Sequence, residues 1–95
     1  SDRHAGAAAG VASDLRMRGL RVTLDDRSES IGRRIRDAEL EKIPYMLVIG
    51  DREAEEGNVA VRRHHEGVIG TFSVERFAEH VLHERAVRQD APLTA

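Results

Sequence analysis

The sequence predicts an α/β fold: a mixed sheet (parallel plus hairpin) flanked by three helices. Three observations support that class. Apolar residues recur at helical spacing in three separate stretches, within 5–18, 31–43 and 74–82. A strand-like segment, a helix and a second strand-like segment follow one another over 20–49, and such a unit implies a right-handed crossover and a parallel strand pair. The acidic stretch Asp51–Asn58 then joins two strands by a hairpin-sized loop, which makes that second pair antiparallel neighbours.

Taken in order, residues 5–18 (AGAAAGVASDLRMR) place Ala8, Val11, Ala12 and Leu15 on one helical stripe, and Gly19 stands where a helix C′ residue is expected. Gly6 and Gly10 each cost about 1 kcal/mol against Ala in a helix interior, yet a helix remains the best fit. Leu20, Val22 and Leu24 alternate with Arg21 and Thr23, the pattern of a strand buried on one side. Asp25–Arg27 end that strand, and Ser28 or Ser30 can cap the next helix. Ile31, Ile35, Ala38, Leu40 and Ile43 form the apolar face of that helix, and Pro44 stops it by disfavouring helical geometry at Ile43.

Tyr45–Ile49 is continuously apolar, as expected for a strand covered on both faces by helices. After the acidic loop, Val59 and Val61 alternate with Ala60 and Arg62 in another strand. His64–Gly67 reads as a turn, and Val68–Phe72 as a short further strand interrupted at Gly70. Ser73 caps a last amphipathic helix carrying Val74, Phe77, Ala78, Val81 and Leu82. The domain is expected over 1–85, with a C-terminal tail over 86–95 that is frayed from Ala91 onward. A doubly wound fold normally opens on a strand, whereas this sequence opens on a helix.

Ninety-five residues and 10.6 kDa leave room for one domain and one modest core, with roughly 65% of the unfolded surface buried on folding. The apolar share of 40% against 34% charged makes the chain globular rather than disordered. A net charge of −2 argues against a generic polyanion binder. Of the fifteen cations only Lys42 is lysine, and arginine favours planar, bidentate contacts with carboxylates, phosphates and base edges. The absence of cysteine fits a reducing compartment and excludes thiolate metal sites. The longest apolar run, Tyr45–Ile49, is far below the about 20 residues of a membrane helix, and no signal segment opens the sequence. A soluble, cytoplasmic chain without membrane contact is the expectation.

No phosphate-cradling glycine motif, cysteine nucleophile or serine elbow is present, so catalysis by this chain alone is not expected. His64-His65-Glu66 invites a metal reading, but adjacent strand residues point opposite ways and the sequence shows no partner cluster, so no metal is expected. His80 and His83 are two potential ligands on a helix surface, too few for a site. What remains is a polar set at strand ends. Asp51–Glu53 follow a buried strand, where open α/β sheets place ligands, with Arg62 expected near that loop and Arg36 and Lys42 on the intervening helix. A carboxylate beside guanidinium groups can read a nucleobase edge, because Glu accepts from N–H donors and Arg donates to base acceptors. An ordinary set of surface salt bridges explains the same charges.

The stretch IPYMLVIGDREAEEGNVAVR (Ile43–Arg62) resembles the C-terminal anticodon-binding domain of bacterial threonyl-tRNA synthetase. Asp25-x-Arg27-x-Glu29-x-Ile31-Gly32-x-x-Ile35-Arg36 is similar to the D-x-R-N-E-K-I-G-x-K-I-R motif of that family. Ser1-Asp2-Arg3-His4 resembles its S-D-x-H, and Gly70-Thr71 before the Ser73 helix matches its ending. The similarity covers nearly the whole chain.

The resemblance implies an anticodon-binding-domain-like mixed sheet that reads the second and third anticodon bases, G and U. By position, it implies that Glu53 accepts hydrogen bonds from the guanine edge. Arg62, across the hairpin and gripping the same unpaired purine, would donate to anticodon bases. Lys42 would lie near the last anticodon base, and Arg36 would support the loop or contact phosphate. Ser28 and Ser30 replace the family's Asn and Lys at positions facing the anticodon, removing an amide and an ammonium that Arg27 and Arg33 can compensate. The resemblance further implies that tRNA and the rest of a synthetase chain are partners, and that this chain binds no cofactor. ATP, threonine and the catalytic zinc belong to a separate catalytic domain.

In the family, a first strand upstream of Ser1 lies between the segments 20–24 and 45–49. The expected gap would be closed by repacking or by another chain, which makes a homo-oligomer a candidate state. Two rivals stand beside this reading. One is a non-catalytic interaction or dimerisation module of the same fold, as in the accessory subunit of the mitochondrial DNA polymerase. The other is a flavodoxin-like small-molecule binder, which the missing phosphate loop disfavours.

Overall fold

The computed structural model describes residues 2–90, in the order α1 (Asp2–Met17), α2 (Ile31–Leu40), β1 (Tyr45–Val48), α3 (Asp51–Glu56), β2 (Asn58–Arg63), β3 (Gly67–Ser73) and α4 (Val74–Asp90). The three strands form one antiparallel sheet in the order β1-β2-β3, with Leu47 opposite Val61 and Val61 opposite Gly70. Val59 and Val61, fully buried, project from one face of β2 onto α1 and α4. There they join Leu15, Leu20, Phe77 and Ala78 in one buried cluster, and Val11, Leu47, Val81 and Leu82 pack around it. The stripes expected of the first and last helices are thus the ones that face the core. Serine caps start two helices: Ser30 Oγ accepts from the Arg33 N–H and Ser73 Oγ from the Arg76 N–H, both at 3.1 Å. Gly19 ends α1 as expected, at φ +92°, and lets the Leu20 N–H reach the Leu15 carbonyl at 3.0 Å.

Four expectations are corrected. The segment 20–24 is extended but joins no ladder, so the described residues contain no parallel pair, and the sheet is antiparallel rather than mixed. Its alternation holds only in part: Leu20 is buried and Val22 packs on the core, whereas Leu24, expected on the same side, is exposed. A strand also needs a neighbour for its backbone groups, and here an arginine substitutes in part: Arg16 Nη2 donates to the Val22 carbonyl at 2.9 Å. Second, the acidic loop is largely the helix α3, which brings the helices among the described residues to four. Third, α2 stops at Leu40, before Pro44 acts, because Lys42 adopts the left-handed conformation (φ 60°) and the Ile43 N–H closes onto the Ala38 carbonyl at 3.0 Å. Fourth, β1 is half-buried along its length rather than covered on both faces. It is an edge strand in this sheet, and no α2 side chain is fully buried against it.

The last strand is longer than expected. Around Val61/Arg62 the register slips by one residue, leaving Val68 and Ile69 exposed. Gly70 permits the slip, at φ +153° with a Phe72 ring atom 2.9 Å from where a Cβ would stand. The frayed tail expected over 91–95 lies outside the described residues, and α4 continues unbroken past residue 85 to Asp90.

Polar contacts tie the elements together. The Tyr45 hydroxyl donates to Glu84 at 3.0 Å, Arg63 pairs with the same carboxylate at 3.2 Å, and the Tyr45 ring meets Phe77 edge-on at 5.4 Å. Burial first, and the Glu84 carboxylate second, push the Tyr45 hydroxyl above its ordinary pKa. On the other side of the molecule His4 Nε2 lies 2.9 Å from Asp51, joining the start of α1 to the start of α3.

Candidate nucleic-acid interface

Glu53 sits in the first turn of α3. Its Oε1 accepts the Gly50 N–H at 2.9 Å, satisfying one of the open donors at that helix start. The side chain is half-buried in a groove lined by Ala7, Val11, Ile49 and Asn58. Among the described residues its second oxygen takes no hydrogen bond. The carboxylate is therefore held at one oxygen and available at the other.

Arg62 is at the far end of β2, opposite Met46. It projects from the face opposite Val61, into a groove with Ile35, Ala38, Glu39 and His64, and its guanidinium approaches Gly67. The hairpin does not bring Glu53 and Arg62 together. The four steps from Asn58 to Arg62 alone span about 13 Å at strand spacing. An antiparallel return places the end of β2 beside the start of β1, not beside the acidic stretch, which is why the expected proximity fails.

The remaining candidates cluster on α2. Ser30 caps its start, Ser28 lies in the bend before it, Arg36 is exposed on its surface and Lys42 is exposed just past its end. Among the described residues the side chains of Arg36, Lys42 and Arg62 make no ion pair or hydrogen bond, a state shared by Arg21 and Arg76. Arg27 and Arg33 are committed differently. Arg27 bridges Asp25 (2.8 Å) and Asp37 (3.0 Å), and Arg33 lies 3.4 Å from Asp37. The Arg27 guanidinium holds the Asp25 carboxyl down to about 2 from 3.8. Arg27 thus pins the 20–30 segment to α2, and Arg34 donates to its carbonyl from the next turn.

The structure also supplies a partner that sequence reasoning missed. His64 Nε2 lies 3.1 Å from the Glu39 carbonyl oxygen and 3.3 Å from Glu39 Oε2, and the His65 N–H reaches both carboxylate oxygens at 3.3 Å. The expectation that the histidine pair lacks a neighbouring cluster is therefore corrected. Glu39 is 25 positions away, on a different element, and no local spacing announces it.

Comparison with known proteins fits this geometry. The anticodon binding domain profile matches residues 1–84. A threonine–tRNA ligase of Caldanaerobacter subterraneus is 48% identical over 88 residues, covering 93% of this chain and 14% of the relative. That of Bacteroides thetaiotaomicron is 53% identical over 70 residues, covering 74% of this chain and 11% of the relative. The chain thus spans a small part of the curated relatives it matches. Among solved structures, the RNA binding domain of threonyl-tRNA synthetase from Cryptosporidium parvum superposes with a TM-score of 0.81 at 26% identity, over 87% of this chain and 21% of that one. Histidyl-tRNA synthetase from Nostoc sp. PCC 7120 shares the fold, with a TM-score of 0.79 at 20% identity over 90% of this chain and 20% of that one. With the profile spanning all but the last residues of the chain, this protein belongs to the anticodon binding domain family.

Proposed function

We propose that the chain is the tRNA-selecting module of a threonine–tRNA ligase and reads the anticodon loop of threonine tRNA. The observation that carries this reading is the state of the cations. Arg36, Lys42 and Arg62, the positions at which the family motif implies RNA contact, pair with no acid among the described residues, whereas Arg27, Arg33 and Arg63 do. Separation along β2 supports a reading in which Glu53 and Arg62 meet different nucleotides. Glu53 accepts from the guanine edge while Arg62 donates to the neighbouring base, as suits unstacked loop bases. Arg36 and Lys42 then address phosphate or the last anticodon base, and Ser28 and Ser30 flank them. The chain needs no cofactor for this work. ATP, threonine and the catalytic zinc act in a separate catalytic domain of the parent enzyme, in the cytoplasm.

The experiment is titration of the chain with the anticodon stem-loop of threonine tRNA and with one whose middle G is changed. The native loop binds more tightly, Glu53→Gln removes the preference, and Arg62→Gln costs about 1–3 kcal/mol of binding. Equal binding of both loops, or none, returns the domain to the role of a non-catalytic interaction module.

A further inference from the structure

Glu39, His64 and His65 bring three metal-ligating groups from two elements to one place, with donor atoms all within 4.8 Å of one another. Glu39 comes from the last turn of α2, and the histidines from the tight turn between β2 and β3. Nitrogen and carboxylate donors of this kind suit zinc and its late first-row neighbours rather than magnesium or calcium. The spacing agrees. A tetrahedral zinc ion with its usual bond lengths separates neighbouring donors by about 3.4 Å, and His64 Nε2 stands 3.3 Å from Glu39 Oε2.

Two further features hold the groups in this arrangement. The His65 N–H bonds both oxygens of Glu39 equally, fixing the plane of the carboxylate as a supporting hydrogen bond does around metal ligands. His65 itself takes a left-handed backbone (φ 68°), which brings its ring to 3.8 Å from that of His64, tilted by 47°. A non-glycine residue in that conformation carries strain of the kind found at functional sites. Glu39 and His64 are half-buried while His65 is exposed, so an ion would have a solvent path and an open fourth position for water.

We infer that Glu39, His64 and His65 form a binding site for one divalent transition-metal ion of the zinc class. His64 ligates through Nε2, so the proton on that nitrogen leaves to solvent or moves to Nδ1 when the ion enters. The bound ion joins the end of α2 to the β2–β3 turn. This site is independent of the RNA reading and is tested without RNA.

The test is calorimetric titration of the 95-residue chain, free of any histidine tag, with zinc chloride, with thermal melting alongside. One ion binds per chain and raises the melting temperature. His65→Asn, which keeps the left-handed backbone because asparagine tolerates it, and Glu39→Gln each weaken uptake at least tenfold and remove the thermal shift. The double variant His80→Gln/His83→Gln, which alters the histidines of α4, leaves both unchanged. The proposal is overturned if zinc binds no better than magnesium, if His65→Asn binds as the parent does, or if the α4 variant abolishes uptake.

Discussion

Lys42 holds a backbone conformation that glycine usually fills at a helix end, and it does so with its ammonium exposed and, among the described residues, unpaired. The left-handed geometry costs a side-chain-bearing residue roughly 1–2 kcal/mol, partly offset by the greater freedom glycine has when unfolded. Lys42→Gly is therefore expected to raise stability by about 0.5–1 kcal/mol in urea unfolding, while lowering stem-loop affinity under the proposed function. Asp25 gives the second residue-scale prediction. Its folded pKa, about 2, lies below its ordinary 3.8, so the stabilisation from its Arg27 bridge is complete above pH 4 and fades as the pH falls toward 2. Denaturation midpoints followed from pH 5 to pH 2.5 should show this loss in the native chain and a shallower one in Asp25→Asn. The residue types at these positions were legible in the sequence. Their pairings were not, because Arg27 reaches Asp37 and His64 reaches Glu39 only after the chain has folded back.

At the scale of elements, α3 shows why a helix can hide in a charged stretch. Six residues are too few for an apolar stripe to declare itself, and the helix stands on its ends: Glu53 bonds the Gly50 N–H at the start, and Gly57 turns left-handed to return its N–H to the Glu53 carbonyl. Glu53→Ala should accordingly cost about 1 kcal/mol of stability by thermal melting, and Glu53→Gln less, since the amide oxygen still accepts. That difference separates a folding effect from a base-reading one at this position. The amphipathic helices α1 and α4 and strand β2 were readable because each presents its apolar residues at its own period. The sequence of segment 20–24 predicts a strand for the same reason. Its side-chain pattern is that of a strand, but pairing depends on a neighbour that a local pattern does not reveal.

Across the whole molecule, the Cα radius of gyration is 14.1 Å, with extents of 47 × 27 × 20 Å, against about 12.4 Å for a compact domain of this length. The elongation accords with a core confined to one face of a three-stranded sheet. Among the described residues β1 is paired on one side only, and we propose that a second copy of the chain docks on this edge, in which case light scattering shows mass rising with concentration. A constant monomer mass removes that proposal. The lack of any buried side chain on α2 has a further consequence. A helix anchored mainly by hydrogen bonds and ion pairs detaches more readily than the centre of the sheet, so its amides should exchange with deuterium well before those of β2. Ser28, Ser30, Arg36 and Lys42 all travel with it. Whatever grips them meets the docked helix only for part of the time, and its apparent grip is scaled by that fraction.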